Sequence, residues 1–139
     1  MHKLPFEILM EDERMMHPRL RVEPVEPAPL PALLKQTPGL RLILLNALRT
    51  LRGPALKELV AAGEVFVEFS MLEGVGGLEQ LLQQLPAERV LFGSHTPLFY
   101  FESAALKLRE SALESQAEQL IRVGNARRVL AQTGPWVRR

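Results

Sequence analysis

The stretch Arg89-Val90-Leu91-Phe92-Gly93-Ser94-His95-Thr96-Pro97 decides how this chain is read. A short apolar run stops at a polar pair, and Pro97 with Leu98-Phe99-Tyr100-Phe101 follows it. A run of that kind predicts a strand buried on both faces. A buried parallel strand that delivers a proton- or metal-binding side chain at its C-terminal end is how α/β enzymes place their chemistry.

Working outward, three further runs predict strands: Leu4 to Met10, Leu40 to Ala47 and Val65 to Met71, with the fourth over Arg89 to Ser94. Helical periodicity separates them. Leu30, Leu33 and Leu34 mark a helix over Pro29 to Gln36 that Pro38-Gly39 ends. Leu56, Leu59 and Val60 mark a second, with Pro54 as its first residue and Gly63 as its stop. Leu78 to Leu85 predicts a third. Phe101 to Leu113, Ser115 to Val123 (opened by the capping-box pattern Ser115-x-x-Glu118) and a final turn at Ala126 to Leu130 complete the set. Regular alternation of strands and helices predicts βαβ units on a parallel sheet, helices on one side. The exception is residues 11–29, a Pro-rich loop with Pro18, Pro24, Pro27 and Pro29; long loops of this kind are often functional. Residues 131–139 read as a tail, and the whole of 1–139 as one domain.

Composition narrows the function. The chain has 139 residues, 47% hydrophobic and 24% charged, enough for one core. With 17 Lys and Arg against 16 Asp and Glu, no basic field exists to draw nucleic acid. The absence of Cys excludes disulfides and thiolate sites. Apolar runs such as Leu42 to Leu45 fall far short of the roughly 20 residues of a membrane span, and Pro5, Glu7 and Glu11 interrupt any signal-like start. A cytoplasmic protein acting on a small molecule, without nucleic acid or membrane, is the expectation.

Polar residues cluster where the strands end. The first delivers Glu11-Asp12-Glu13-Arg14 and then His17, the second Asn46, the third Glu68, Ser70 and Glu73, and the fourth Ser94 and His95. Parallel strands present these ends to one side, so a His, an amide and several carboxylates can converge there, a set suited to a divalent metal or to acid–base work. Each also has a plainer reading. Mixed charges from Glu11 to Arg14 suit a solvated loop, and His95 could bond a neighbouring carbonyl. Glu68 is harder to dismiss, because a carboxylate among Phe66, Val67 and Phe69 must be paired or lie on an edge. Gly74-Val75-Gly76-Gly77 is a turn, since no Lys-Ser/Thr follows it to make a phosphate loop.

Phe92-Gly93-Ser94-His95-x-Pro97 after an apolar strand, together with Gly124-Asn125-Ala126-x-x-Val129-Leu130 in the last helices, resembles the C-terminal end of amidohydrolase-related metal-dependent hydrolases. Met10-Glu11-Asp12-Glu13-Arg14-x-x-His17-Pro18 looks like a loop after a mid-barrel strand of the same proteins. The resemblance implies a partial, half TIM-type (β/α)8 barrel, about four parallel strands alternating with helices, since a whole barrel takes about 250 residues. It implies hydrolysis, or in some relatives decarboxylation, with a divalent metal, zinc first, activating water. It places His95 and Asn46 as metal ligands, His95 and Glu68 as catalytic groups, and Arg14, Glu11 and Ser70 against substrate. Three departures accompany it. His95 stands where the family carries an Asp, Asn46-Ala47 where it carries His-Gly, and no His-x-His occurs in the chain. The competing expectation is therefore a non-catalytic barrel remnant that binds a small molecule or a partner chain. A half-barrel also leaves sheet edges free, so a homo-oligomer or a missing N-terminal half-barrel is expected to cover them.

Overall fold

A computed structural model describes residues 5–12, 19 and 22–131. Four strands form one sheet: β1 (Phe6–Leu9), β2 (Arg41–Leu45), β3 (Glu64–Glu68) and β4 (Val90–Leu91). They lie in chain order, β1-β2-β3-β4, and every neighbouring pair is parallel. The half-barrel reading holds at this level. Each strand is shorter than the apolar run that announced it, and β4 most of all. The cause at β4 is a change of partner: the Phe92 amide donates to the Ile121 carbonyl at 3.1 Å rather than to β3.

The helices between strands are α1 (Leu30–Gln36), α2 (Gly53–Ala61) and α3 (Gly77–Leu82), with α4 (Phe101–Glu110), α5 (Ser115–Gln119) and α6 (Asn125–Ala131) after the last strand. A wider π turn over Leu120–Gly124 joins α5 to α6. α2 begins one residue before Pro54, with Arg52 as its extended N-cap. The capping box at Ser115 does not form: Glu114 is the N-cap, without a side-chain bond, and Glu118 pairs with Arg122 one turn on.

Strand parity sorts the core into two layers. Leu42, Leu44, Val65, Val67 and Val90 point outward into one cluster with Leu56 and Leu59 of α2, Leu78 and Leu81 of α3, and Leu108 of α4. Burial of each such side chain is worth about 1.5–3 kcal/mol, so this layer holds the helices to the sheet. Ile43, Phe66 and Leu91 point the other way and pack on Val129 of α6. The expectation of helices on one side alone is thus corrected by α6. That helix sits at the N-terminal ends of the strands: Arg41, at the start of β2, donates to the Val129 carbonyl at 2.6 Å, and Asn125 donates to the carbonyls of Ala87 and Val90 at 2.7 and 2.8 Å. It plugs the floor of the inner face and leaves the opposite end, where the strands terminate, to polar side chains.

Candidate active site

At the C-terminal ends of the strands the chain turns abruptly, and two turns use the left-handed backbone region: Asn46 at φ 52° and His95 at φ 55°. That region is uncommon for residues other than Gly, with Asn and His among those that enter it most readily. The Asn46 conformation is held by Glu68, whose Oε1 accepts the Asn46 amide at 2.6 Å. Glu68 Oε2 accepts the Ser70 amide at 2.6 Å, and the Ser70 hydroxyl stands 2.9 Å from both Glu68 Oε1 and Asn46 Oδ1. The buried Glu68, only 5% exposed, therefore clamps the end of β2 to the turn after β3.

Room for that clamp comes from β4. A Cβ on Gly93 would overlap Glu68 Oε2 outright and lie 2.7 Å from Glu68 Cβ. Only glycine lets the carboxylate cross here. The Phe-Gly-Ser-His sequence thus owes its glycine to a side chain on the next strand.

Asn46 carries the network onward. Its Nδ2 donates to the Glu11 carbonyl at 3.1 Å and faces His95 Nε2 at 3.2 Å. The amide orientation follows from the bonding pattern: the Glu11 carbonyl requires a donor, and the Ser70 hydroxyl donates to Oδ1. With an N–H aimed at it, Nε2 of neutral His95 is the acceptor, and the proton resides on Nδ1. The His95 ring also lies against Phe99, 5.3 Å between centroids.

Glu11, Asn46, Glu68, Ser70 and His95, five residues singled out from the sequence, therefore gather at one end of the sheet. Glu11 is 1% exposed, and among the described residues neither carboxylate oxygen has a hydrogen-bond partner; Arg49 Nε is 3.6 Å from Oε2. Arg14, expected against substrate, and His17 lie outside the described residues, as do the tail beyond Ala131 and residues 13–18, 20 and 21 of the 11–29 loop.

Two site residues carried no sequence signal that we used. Arg49 follows the Asn46 turn. Lys107 reaches back from α4, donating from Nζ to the Ser70 carbonyl at 2.6 Å. Burial pushes the Lys107 ammonium below its ordinary 10.5, and the charges of Glu68 and Glu73 partly restore it. Its spacing of three from Ala104, a buried residue of α4, was the available clue, because residues three and four apart share a helix face.

The donor set answers the expectation of a metal. Asn46 turns an N–H, not its oxygen, toward His95, and both Glu68 oxygens are engaged by backbone amides. Among the described residues, no three His, Asp or Glu side chains come close enough to hold an ion. His95 and Asn46, as placed, do not fit a divalent metal, zinc included.

A four-stranded parallel sheet with helices outside, a plug beneath and polar strand ends above is part of a TIM barrel. Solved structures agree. The chain is similar to a TIM-barrel protein from Bordetella bronchiseptica of uncharacterized function, at 22% identity and TM-score 0.62, over 78% of this chain and 40% of that one. It is similar to 4-oxalomesaconate hydratase from Rhodopseudomonas palustris (23% identity, TM-score 0.52, 72% and 37% of the two chains). It is also similar to a protein assigned as a 2-pyrone-4,6-dicarboxylic acid hydrolase from Pseudomonas putida (23% identity, TM-score 0.53, 78% and 50%). The likeness to these structures establishes the fold. The chain spans half of their length or less. No protein-family model and no curated protein matches it.

Proposed function

We propose that this chain forms the His95-bearing part of an amidohydrolase-type barrel that adds water to, or hydrolyses, a small carbonyl or carboxylate substrate. The observation that carries the reading is the Asn46–His95 contact. It holds a neutral imidazole at the C-terminal strand ends with its Nε2 lone pair taken by the Asn46 N–H, and in this reading the attacking water displaces that N–H and hands its proton to Nε2. Glu68, fixed by two backbone amides, keeps Asn46 and Ser70 in place. Glu11 and Ser70, members of the same cluster, are proposed to contact the substrate, and Arg14 is proposed to hold a substrate carboxylate bidentately. The hydratase and hydrolase among the similar barrels support the water chemistry, since both names describe attack by water.

Among the described residues no strand pairs with the outer edge of β1, which supports a role for further chain. Phe6 is 65% exposed there, and we propose that strands from an N-terminal half-barrel or a second copy cover it.

The test is turnover, followed by proton NMR, of a panel of small dicarboxylate lactones and enoates by the longest natural form of the protein. His95→Ala is expected to lower the rate by about 10²–10⁴-fold, the span general acid–base groups contribute, with the circular-dichroism spectrum unchanged. A variant as fast as the wild type overturns the assignment.

A further inference from the structure

We infer that Lys107, on the outer helix α4, is a positioning residue for His95, acting through the Ser70 carbonyl. The inference rests on the proposed role of His95 and deepens it. Four contacts make the connection: Lys107 Nζ to Ser70 O at 2.6 Å, Ser70 N to Glu68 Oε2 at 2.6 Å, Ser70 Oγ to Asn46 Oδ1 at 2.9 Å, and Asn46 Nδ2 to His95 Nε2 at 3.2 Å. Lys107 is the first link and touches neither His95 nor the space above it.

Two features distinguish this lysine from a solvated surface charge. It is half-buried on α4 beside Ala104 and Leu108, at a desolvation cost that an exposed lysine avoids. And it is directed at a carbonyl rather than at a carboxylate: Glu68 and Glu73 act on it only through their fields. A charge-assisted bond to a carbonyl, stronger than a neutral one, fixes the plane of the peptide that follows Ser70. That anchors Ser70 itself, and with it the hydroxyl that stands 2.9 Å from Asn46 Oδ1 and helps set how the Asn46 side chain is turned. A loosened Ser70 lets the Asn46 amide rotate, and His95 then loses the donor that selects its tautomer. Glu68 also loses the favourable field of the Lys107 ammonium.

Nitrogen-15 NMR of the His95 ring tests this, because the two tautomers place the protonated nitrogen at opposite ring positions. In the wild type, Nε2 is expected at the unprotonated position and Nδ1 at the protonated one. Lys107→Met is expected to move both toward the averaged positions of a free histidine, and Lys107→Arg, which keeps charge and reach, to retain the wild-type pattern. Should Lys107→Met fail to fold, Lys107→Gln replaces it, and slow exchange of the Lys107 ammonium protons is read in the wild type as a direct sign of the bond. Fast exchange there, or an unchanged His95 pattern in folded Lys107→Met or Lys107→Gln, overturns the inference. Asn46→Ala separates the two levels. If it shifts the His95 nitrogens and the lysine variants do not, only the role of Lys107 falls; if it too leaves them unmoved, the Asn46–His95 contact falls and the proposed function with it.

Discussion

Glu68 shows how one side chain can order a site without reaching into it. Its oxygens take two backbone amides from two different strand ends, and the space it fills belongs to Gly93 of a third. Gly93→Ala is therefore expected to displace the carboxylate and to cost about 1–3 kcal/mol, the usual range for overpacking. Chemical denaturation measures the loss, and the Asn46 and Ser70 amide resonances should move with it. The sequence exposed Glu68 as an oddity, since a carboxylate in an apolar strand needs a partner, but it held no sign that the partners are main-chain amides. Those become available only when β2 ends at a left-handed Asn46. Lys107 gives a second test at this scale. Its folded pKa lies below 10.5, so between the two values the unfolded chain binds more protons and stability rises with pH. The penalty is complete below the folded pKa and is relieved as pH climbs through it toward 10.5. The stability of the wild type relative to Lys107→Met should thus improve from neutral to alkaline pH; a flat difference would show that Lys107 is not desolvated.

At the scale of elements, the sequence revealed strand and helix order because near-continuous apolar runs and 3.6-residue periodicity are local properties. Strand ends were less legible. β4 looked like a run to Ser94, yet Phe92 bonds to Ile121, 29 residues on, a choice no local pattern records. α6 was misplaced for a similar reason: a short helix carrying Asn125 and Val129 reads like any surface turn, although both are buried. Asn125 is the device that seats it. Its two bonds to Ala87 and Val90 carbonyls join the last helix to the start of β4, the strand that leads to His95. Asn125→Ala is expected to cost about 2 kcal/mol, roughly 1 for each bond, measurable by urea unfolding. Because α6 lies at the floor and the polar cluster at the mouth, the His95 resonances should stay in place.

For the molecule as a whole, the sheet divides labour between its two ends. The N-terminal ends of the strands carry Arg41, α6 and packing; the C-terminal ends carry Glu11, Asn46, Ser70 and His95. This polarity is a consequence of parallel strands, which bring every C-terminal end to one side, and it is why TIM barrels concentrate chemistry there. The polarity was legible in advance, since polar residues followed each apolar run. The expected metal pair was not realised, because the sequence cannot show which way an amide turns: Asn46 presents its N–H to His95 once Glu11 and Ser70 take up its other bonding positions. The most direct test of where the chemistry lies is amide chemical-shift mapping with a small dicarboxylate such as succinate. The account predicts that the amides of Asn46, Ser70 and His95 move together on titration while those of Asn125 and Val129 do not. Shifts confined to α6 and the strand N-terminal ends, with the His95 cluster silent, would contradict it.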